Sequence, residues 1–250
     1  MCRVLAYLGP PRTLEELLVA PGHSLVRQSW APRHQGHGTV NADGFGAAWY
    51  DRGRRPEPAR YRRAVPVWAD PSFASLAGVV ASTAVLGAVR DATPPNPVEE
   101  SGTPPFTAGP WAFAHNGAVE GFPTESGPGL RRLISDRRSA GVVGSADSEL
   151  LFALALDHLD AGAGPARALA EVVAAVDALG GGRLNLVLTD GSRVAATAWG
   201  DTLVMIRGAG LAGPGVVVAS EPCDDHPAWK VVPDRSVVEA TAESATVTPL

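Results

Sequence analysis

The chain has 250 residues, 45% of them apolar, with 21 Lys and Arg against 26 Asp and Glu and only two cysteines, Cys2 and Cys223. A formal charge of −5, with no Lys/Arg run interleaved with aromatics, excludes a broad polyanion-binding surface, so no nucleic-acid partner is expected. No stretch approaches the roughly 18 consecutive apolar residues of a membrane helix, and no charged start leads into a long apolar core, so the expectation is no membrane partner and a cytoplasmic location.

From the N-terminus, Arg3–Leu8 reads as a strand directly after Cys2, Gly9–Arg12 as a Pro-rich loop, and Thr13–Val19 as a short helix. Gly44–Tyr50 is a second strand, followed by a Pro-rich loop at Arg54–Pro58 and a short helix at Ser72–Val80. Thr83–Val89 is a strand that ends on Arg90; Pro94–Pro110 is a Pro-rich loop; Trp111–His115 is a strand whose His115–Asn116–Gly117 end reads as a turn. A short helix is expected over Pro128–Ser139. Two segments have full helical length: Ala146–Ala161, opened by Ser145, and Pro165–Leu179, opened by Gly164 and closed by Gly180, Gly181 and Gly182. Strands return at Leu184–Thr189, Arg193–Trp199, Thr202–Ile206 and Val216–Ser220. Strands, then helices, then strands again disfavours a regular βαβ sheet and favours a layered α+β domain. No repeat or composition shift marks a linker, so a single domain over residues 1–250 is expected.

Two cysteines build no disulfide framework and form no CxxC pair, so their chemistry belongs to free thiols. Position 2 is a poor place for a structural thiol. Removal of the initiator methionine would make Cys2 the first residue, with a thiol and a free α-amine on one side chain and backbone. The amine, with a reference pKa of roughly 7.7–8.0, can take the thiol proton and later return it to a leaving amine. Asn116 and the N–H of Gly117 are a compact pair of donors for an oxyanion, although Asn-Gly is also an ordinary hairpin turn. Arg90 can clamp a carboxylate through two parallel hydrogen bonds, or be a surface strand-end residue. Asp147, in the first turn of an otherwise apolar helix, suits an ammonium group or simply the helix dipole.

Together these residues carry a resemblance. "MCR", "NADGFGAAWYD", "GAVRDAT", "AHNG" and "SADSE", in this order and spacing, are similar to the class II glutamine amidotransferases, a branch of the N-terminal nucleophile hydrolases. The resemblance implies a four-layer αββα sandwich of two antiparallel sheets, a mature chain starting at Cys2, and no cofactor and no metal. It implies Cys2 as nucleophile and Asn116 and Gly117 as the oxyanion hole. Arg90 would bind the substrate α-carboxylate, with Thr93 of the same R-x-A-T motif beside it, and Asp147 the α-amine. Asp91 and Pro94 depart from the sugar-phosphate synthase branch, and residues 1–250 leave no room for an ammonia-consuming domain. The stretches "QSWAPRHQGHGTVNADGFG", "TPPFTAGPWAFAHNG", "RLNLVLTDGSRVAATAWGDTL" and "VVVASEPCDDHPAWKVVPDRSVVE" resemble the ergothioneine-pathway amidohydrolases of the same family. That branch implies cleavage of the γ-glutamyl amide of γ-glutamyl-hercynylcysteine sulfoxide, a small-molecule substrate, and no obligatory protein partner.

The leaving half of that substrate carries an imidazole and a trimethylammonium group, which an aromatic wall or a carboxylate would receive; Trp30, Trp68, Trp111 and Asp91 are the candidates. The alternative within the family is a free-standing glutaminase that supplies ammonia to a partner synthase. Outside it, His34 with His37, or Cys223 with His226, have metal-ligand spacing, and Cys223 with His226 could form a hydrolytic pair.

Overall fold

A computed structural model describes residues 2–94 and 96–250; Met1, whose removal is expected, lies outside the described residues. From the N-terminus the elements are β1 (Arg3–Thr13), α1 (Leu14–Leu18), α2 (Leu25–Gln28), β2 (Gly44–Trp49), β3 (Ala59–Arg63), α3 (Pro71–Ala77), β4 (Ala81–Arg90), β5 (Phe106–Ala108) and β6 (Trp111–Val119). Then come α4 (Ser126–Leu133), α5 (Asp136–Ser139), α6 (Asp147–Asp160), α7 (Pro165–Asp177), β7 (Gly182–Thr189), β8 (Val194–Ala198), β9 (Val204–Arg207), β10 (Val216–Ala219), β11 (Lys230–Val231), β12 (Ser236–Ala240) and β13 (Ala245–Pro249).

Among the described residues the strands form two sheets, one in the order β11-β9-β10-β1-β4-β2-β3 and one in the order β13-β12-β8-β7-β6-β5. The ladders are antiparallel throughout. Alternation along each strand sorts the side chains into layers. Val4, Ala6 and Leu8 of β1, Leu86 and Ala88 of β4, Ala112 and Ala114 of β6 and Ala196 of β8 meet between the sheets. Leu5, Tyr7, Val85 and Val89, the intervening positions, pack against Leu14, Leu17, Leu25 and Phe73 of α1 to α3. On the other side Phe113, Leu184, Leu186 and Leu188 pack against Leu130 of α4, Leu150 and Leu154 of α6, and Leu169 and Val173 of α7. The result is the expected αββα order of layers. Mostly small Ala and Val residues, with a few Leu, line the gap between the sheets while Leu and Phe are concentrated on the helix-covered faces, each fully buried large side chain contributing roughly 1.5–3 kcal/mol.

Several segments differ from the sequence expectation. The Gly9–Arg12 loop is instead the far end of β1, where a register shift between Leu8 and Arg12 absorbs the prolines as a bulge against β4. His115–Asn116–Gly117 is not a turn: β6 runs on to Val119 because β7 pairs with it through Asn116↔Asn185 and Gly117↔Leu184. The Pro94–Pro110 segment contains the short edge strand β5, and the 128–139 segment breaks into α4 and α5 at Ser135, which caps α5 through its hydroxyl. α2, β3, β11, β12 and β13 were not expected, being short or lacking a clean apolar alternation.

Candidate active site

Strand parity and register assemble the site. Even-numbered residues of β1 and β4 face the gap between the sheets, and the last ladder pair is Arg3↔Val89. Cys2 and Arg90 are therefore the next opposed positions, at the open end of the gap. Even-numbered residues of β6 share that gap, which points Asn116 into it from the opposite sheet, while His115 turns toward α6. The first turn of α6 supplies Asp147.

Cys2, Arg90, Thr93, Gly117 and Asp147 line one cavity of about 20 Å³, together with Asp91 and His115 among others. That is room for a single water-sized group. Arg90 is 4% exposed; its Nη2 donates to the Pro97 carbonyl at 3.1 Å, while Nη1 is buried without a partner. A buried cation with a donor to spare is poised for an anion. Asp147 is held in place by two backbone donors, Val119 N–H to Oδ2 at 3.0 Å and Ser148 N–H to Oδ1 at 2.7 Å. Asn116 is wholly buried and neither its Oδ1 nor its Nδ2 has a protein partner, an expensive state for a buried amide. Gly117 has no room for a side chain: a Cβ there would land on the Arg183 carbonyl and crowd the His115 ring.

Burial pushes the Cys2 thiol up from its ordinary value; the Arg90 guanidinium and a backbone hydrogen bond from Asp91 oppose that, and Asp147 adds to it. The thiol is thus mostly protonated at neutral pH and needs a proton acceptor before it can attack.

His115 has no role in the sequence reading, yet it organises the site. One ring nitrogen, Nε2, sits 3.0 Å from the Arg183 carbonyl and so carries the proton; the other, Nδ1, lies 3.1 Å from Ser148 Oγ and 3.9 Å from Asp147 Oδ1. The available signal was an imidazole on an otherwise apolar strand, which must find partners once buried.

The other candidates divide. Asp91 borders the cavity, whereas Trp111 borders a separate groove beside Asp160 and Arg193. Trp30 and Trp68 form an exposed edge-to-face pair with centroids 5.5 Å apart, outside the residues lining the Cys2 cavity. Among the described residues, no three His, Cys, Asp or Glu side chains come together in a metal-holding group, so neither His34 with His37 nor Cys223 with His226 gains the further ligands a metal site needs. Cys223 is fully buried, its thiol pushed up to about 12 by burial, and His226 Nδ1 accepts from the Ala228 N–H, so these two do not form a hydrolytic pair. No helix among the described residues is long and apolar enough to cross a membrane. A larger cavity of about 270 Å³ lies behind the first turn of α6, bordered by Arg60, Arg62, Phe152 and Glu149 and by none of the expected site residues.

Comparison with known proteins gives the family and the fold. Residues 19–213 match the family described as "Glutamine amidotransferases class-II". A Mycobacterium tuberculosis protein named gamma-glutamyl-hercynylcysteine sulfoxide hydrolase is 41% identical over 252 residues, covering 100% of this chain and 97% of that one. The solved structure of a glutamine aminotransferase class-II domain protein from Silicibacter pomeroyi superposes with a TM-score of 0.69 at 28% identity, covering 100% and 99% of the two chains. Glutamine phosphoribosylpyrophosphate amidotransferase from Bacillus subtilis shares the fold, with a TM-score of 0.64 at 14% identity over 100% of this chain and 49% of that one. With its two antiparallel sheets and flanking helices, and a family match over most of its length, the chain belongs to the class II glutamine amidotransferases.

Proposed function

We propose that this protein is an amidohydrolase that cleaves the γ-glutamyl amide bond of γ-glutamyl-hercynylcysteine sulfoxide, releasing glutamate and hercynylcysteine sulfoxide in ergothioneine biosynthesis. The full-length 41% identity to the Mycobacterium tuberculosis hydrolase of that name carries the choice of substrate. The convergence of Cys2, Arg90, Gly117 and Asp147 on one cavity supports the chemistry.

In this reading the mature chain begins at Cys2. The α-carboxylate of the glutamyl group pairs with the spare donor of Arg90, with Thr93 beside it, and the α-ammonium pairs with Asp147. The Cys2 α-amine takes the thiol proton, and the sulfur attacks the γ-carbonyl carbon. Negative charge then gathers on the carbonyl oxygen, where the Asn116 Nδ2 and the Gly117 N–H are the donors. The carbon–nitrogen bond breaks, the Cys2 ammonium gives its proton to the departing amine, and a thioester remains. Water, losing its proton to the same amine, attacks the thioester; the carbon–sulfur bond breaks and glutamate leaves with the thiol restored. Asp91 borders the cavity and is the carboxylate placed to face the cationic leaving half.

Residues 1–250 act as one catalytic unit in this proposal, with a small-molecule substrate and no obligatory protein partner. Supporting a single unit, one sheet joins C-terminal strands β9, β10 and β11 to N-terminal strands β1, β2, β3 and β4 through the β1–β10 ladder, so neither half completes it alone.

The test is to incubate purified protein with γ-glutamyl-hercynylcysteine sulfoxide and measure both products. Wild type should release them and Cys2→Ala should not; equal turnover by the variant overturns the reading. Faster release of ammonia from glutamine than of glutamate from the proposed substrate would favour the free-standing glutaminase instead.

A further inference from the structure

Two buried charges that take no part in the reaction above lie behind the nucleophile. Arg3 is wholly buried, and its Nε donates to the Cys2 carbonyl at 2.9 Å. Its Nη1 stands 3.8 Å from Oε1 of Glu221, whose side chain is equally closed to solvent. The second carboxylate oxygen, Oε2, gathers three more groups: Nε2 of His23 at 3.0 Å, the Arg33 N–H at 2.7 Å and the His34 N–H at 3.1 Å. Burial opposes the charge on Arg3, and Glu221 is the largest influence that restores it.

This arrangement does something for Cys2 that the sheet does not. β1 begins at Arg3, so Cys2 lies one residue outside the ladder, where terminal residues fray unless tied. The Arg3 side chain supplies a tie to its carbonyl, and Glu221 gives that buried side chain a counter-charge 3.8 Å away, with no hydrogen bond between them. The same carboxylate also holds the start of the segment that follows His34. Four residues on, a Cβ at Gly38 would collide with the Asp91 carboxylate, and the Asp91 backbone hydrogen-bonds the Cys2 sulfur.

We propose that Glu221, acting through Arg3, is a positioning residue for the Cys2 nucleophile: one buried carboxylate fixes the backbone that carries the sulfur and the segment packed beside it. The proposal rests on reading Cys2 as the nucleophile. It is separable from a merely structural role because buried ion pairs behave asymmetrically. Removing one partner leaves an uncompensated buried charge and destabilises the fold, while neutralising both is often tolerated.

The experiment uses 6-diazo-5-oxo-L-norleucine, a glutamine-shaped diazoketone that alkylates an attacking sulfur with loss of N₂. Labelling of wild type, Cys2→Ala, Glu221→Gln and the double variant Arg3→Met/Glu221→Gln is followed by peptide mass, together with the melting temperature of each. Buried Cys223 is the internal control, since its alkylation reports opening of the fold rather than attack geometry. The expected result is that Glu221→Gln melts lower and labels Cys2 at least tenfold more slowly, with labelling still reaching one per chain and Cys223 untouched. The double variant should regain most of the lost melting temperature but not the labelling rate. If rate and melting temperature recover together in the double variant, or if Glu221→Gln labels within twofold of wild type, the positioning role is overturned while the nucleophile reading stands. Labelling of Cys2→Ala at the wild-type rate would instead overturn the nucleophile reading, and the proposal with it.

Discussion

His115 Nδ1 lies 3.9 Å from Asp147 Oδ1, with Ser148 Oγ 3.1 Å from the same nitrogen and the Arg183 carbonyl 3.0 Å from the other. The imidazole thus links β6, β7 and the first turn of α6, and Asp147 is where the substrate ammonium is proposed to bind. His115→Phe keeps an aromatic ring, slightly larger, but loses these bonds. It should raise KM for the γ-glutamyl substrate about tenfold, the worth of one net hydrogen bond of about 1.4 kcal/mol, with kcat changed less. Steady-state kinetics resolve the two; a fall in kcat with KM unchanged would remove His115 from substrate binding.

Arg90 and Asp147 should act on opposite ends of the same amino acid. Arg90→Gln is expected to cost about 2–4 kcal/mol in kcat/KM, roughly 30- to 10³-fold, because it removes the buried cation that faces the α-carboxylate. Against a substrate lacking that carboxylate, a 4-aminobutyryl amide, wild type and Arg90→Gln should be equally slow. A penalty of the same size on both substrates would show that Arg90 does not read the carboxylate.

Asn116 and Gly117 adjoin in the chain, yet their substitutions should separate. The Asn116 amide is buried without a protein partner, so Asn116→Ala should leave the melting temperature unchanged or raise it while lowering kcat by about 10²–10³, as for a lost oxyanion donor. Gly117→Ala drives a Cβ into the Arg183 carbonyl and should destabilise the fold by about 1–3 kcal/mol through overpacking. Thermal melts beside kcat measurements check both, and a strongly destabilised Asn116→Ala would contradict the first.

Cys223 gives the fold an alkaline weakness. Burial pushes its thiol from an ordinary 9.0 up to about 12 in the folded chain. Between those values the unfolded chain loses a proton that the folded chain keeps, so stability is fully present below pH 9 and is lost as pH rises toward 12, by about 1.4 kcal/mol per pH unit. Denaturant melts from pH 8 to 11 should show this slope, and Cys223→Ala should make it shallower, the Cys2 thiol and the Tyr50 hydroxyl, also pushed up by burial, keeping part of it. An unchanged slope in that variant would assign the loss to other groups.

The terminus should be decisive for activity and indifferent for folding. A chain that keeps Met1, or carries an extension before Cys2, has its nitrogen in an amide and lacks the proposed base. It should melt like the processed chain but turn over substrate at least 10²-fold more slowly, the usual size of a general-base contribution. Intact mass identifies the species assayed, and full activity with Met1 in place would remove the α-amine from the mechanism.

Much of this site was legible because its chemistry is carried by short motifs whose residue types are unusual where they stand: a thiol at position 2, an Arg ending an apolar strand, an Asp opening an apolar helix. Strand and helix order pointed no further than a layered α+β domain, and the αββα order of layers was legible only through the family resemblance. His115, Arg3 and Glu221 were not, since a buried polar group shows its purpose only through partners, and these partners come from other strands. The turn expected at His115–Asn116–Gly117 also fails for a tertiary reason: pairing with β7 outweighs the local preference of Asn-Gly for a hairpin.

The sequence by itself determined the layered α+β class, the family resemblance with the αββα layering it implies, and the identity of the groups proposed to attack, clamp and stabilise, because residue type and spacing are local properties. Only the tertiary structure decided that Cys2, Arg90 and Asn116 face one gap, because that depends on strand parity and on the Arg3↔Val89 register. It alone decided that Glu221, distant in the chain, lies behind the nucleophile, because a buried charge is tolerated only where the fold brings another charge to it.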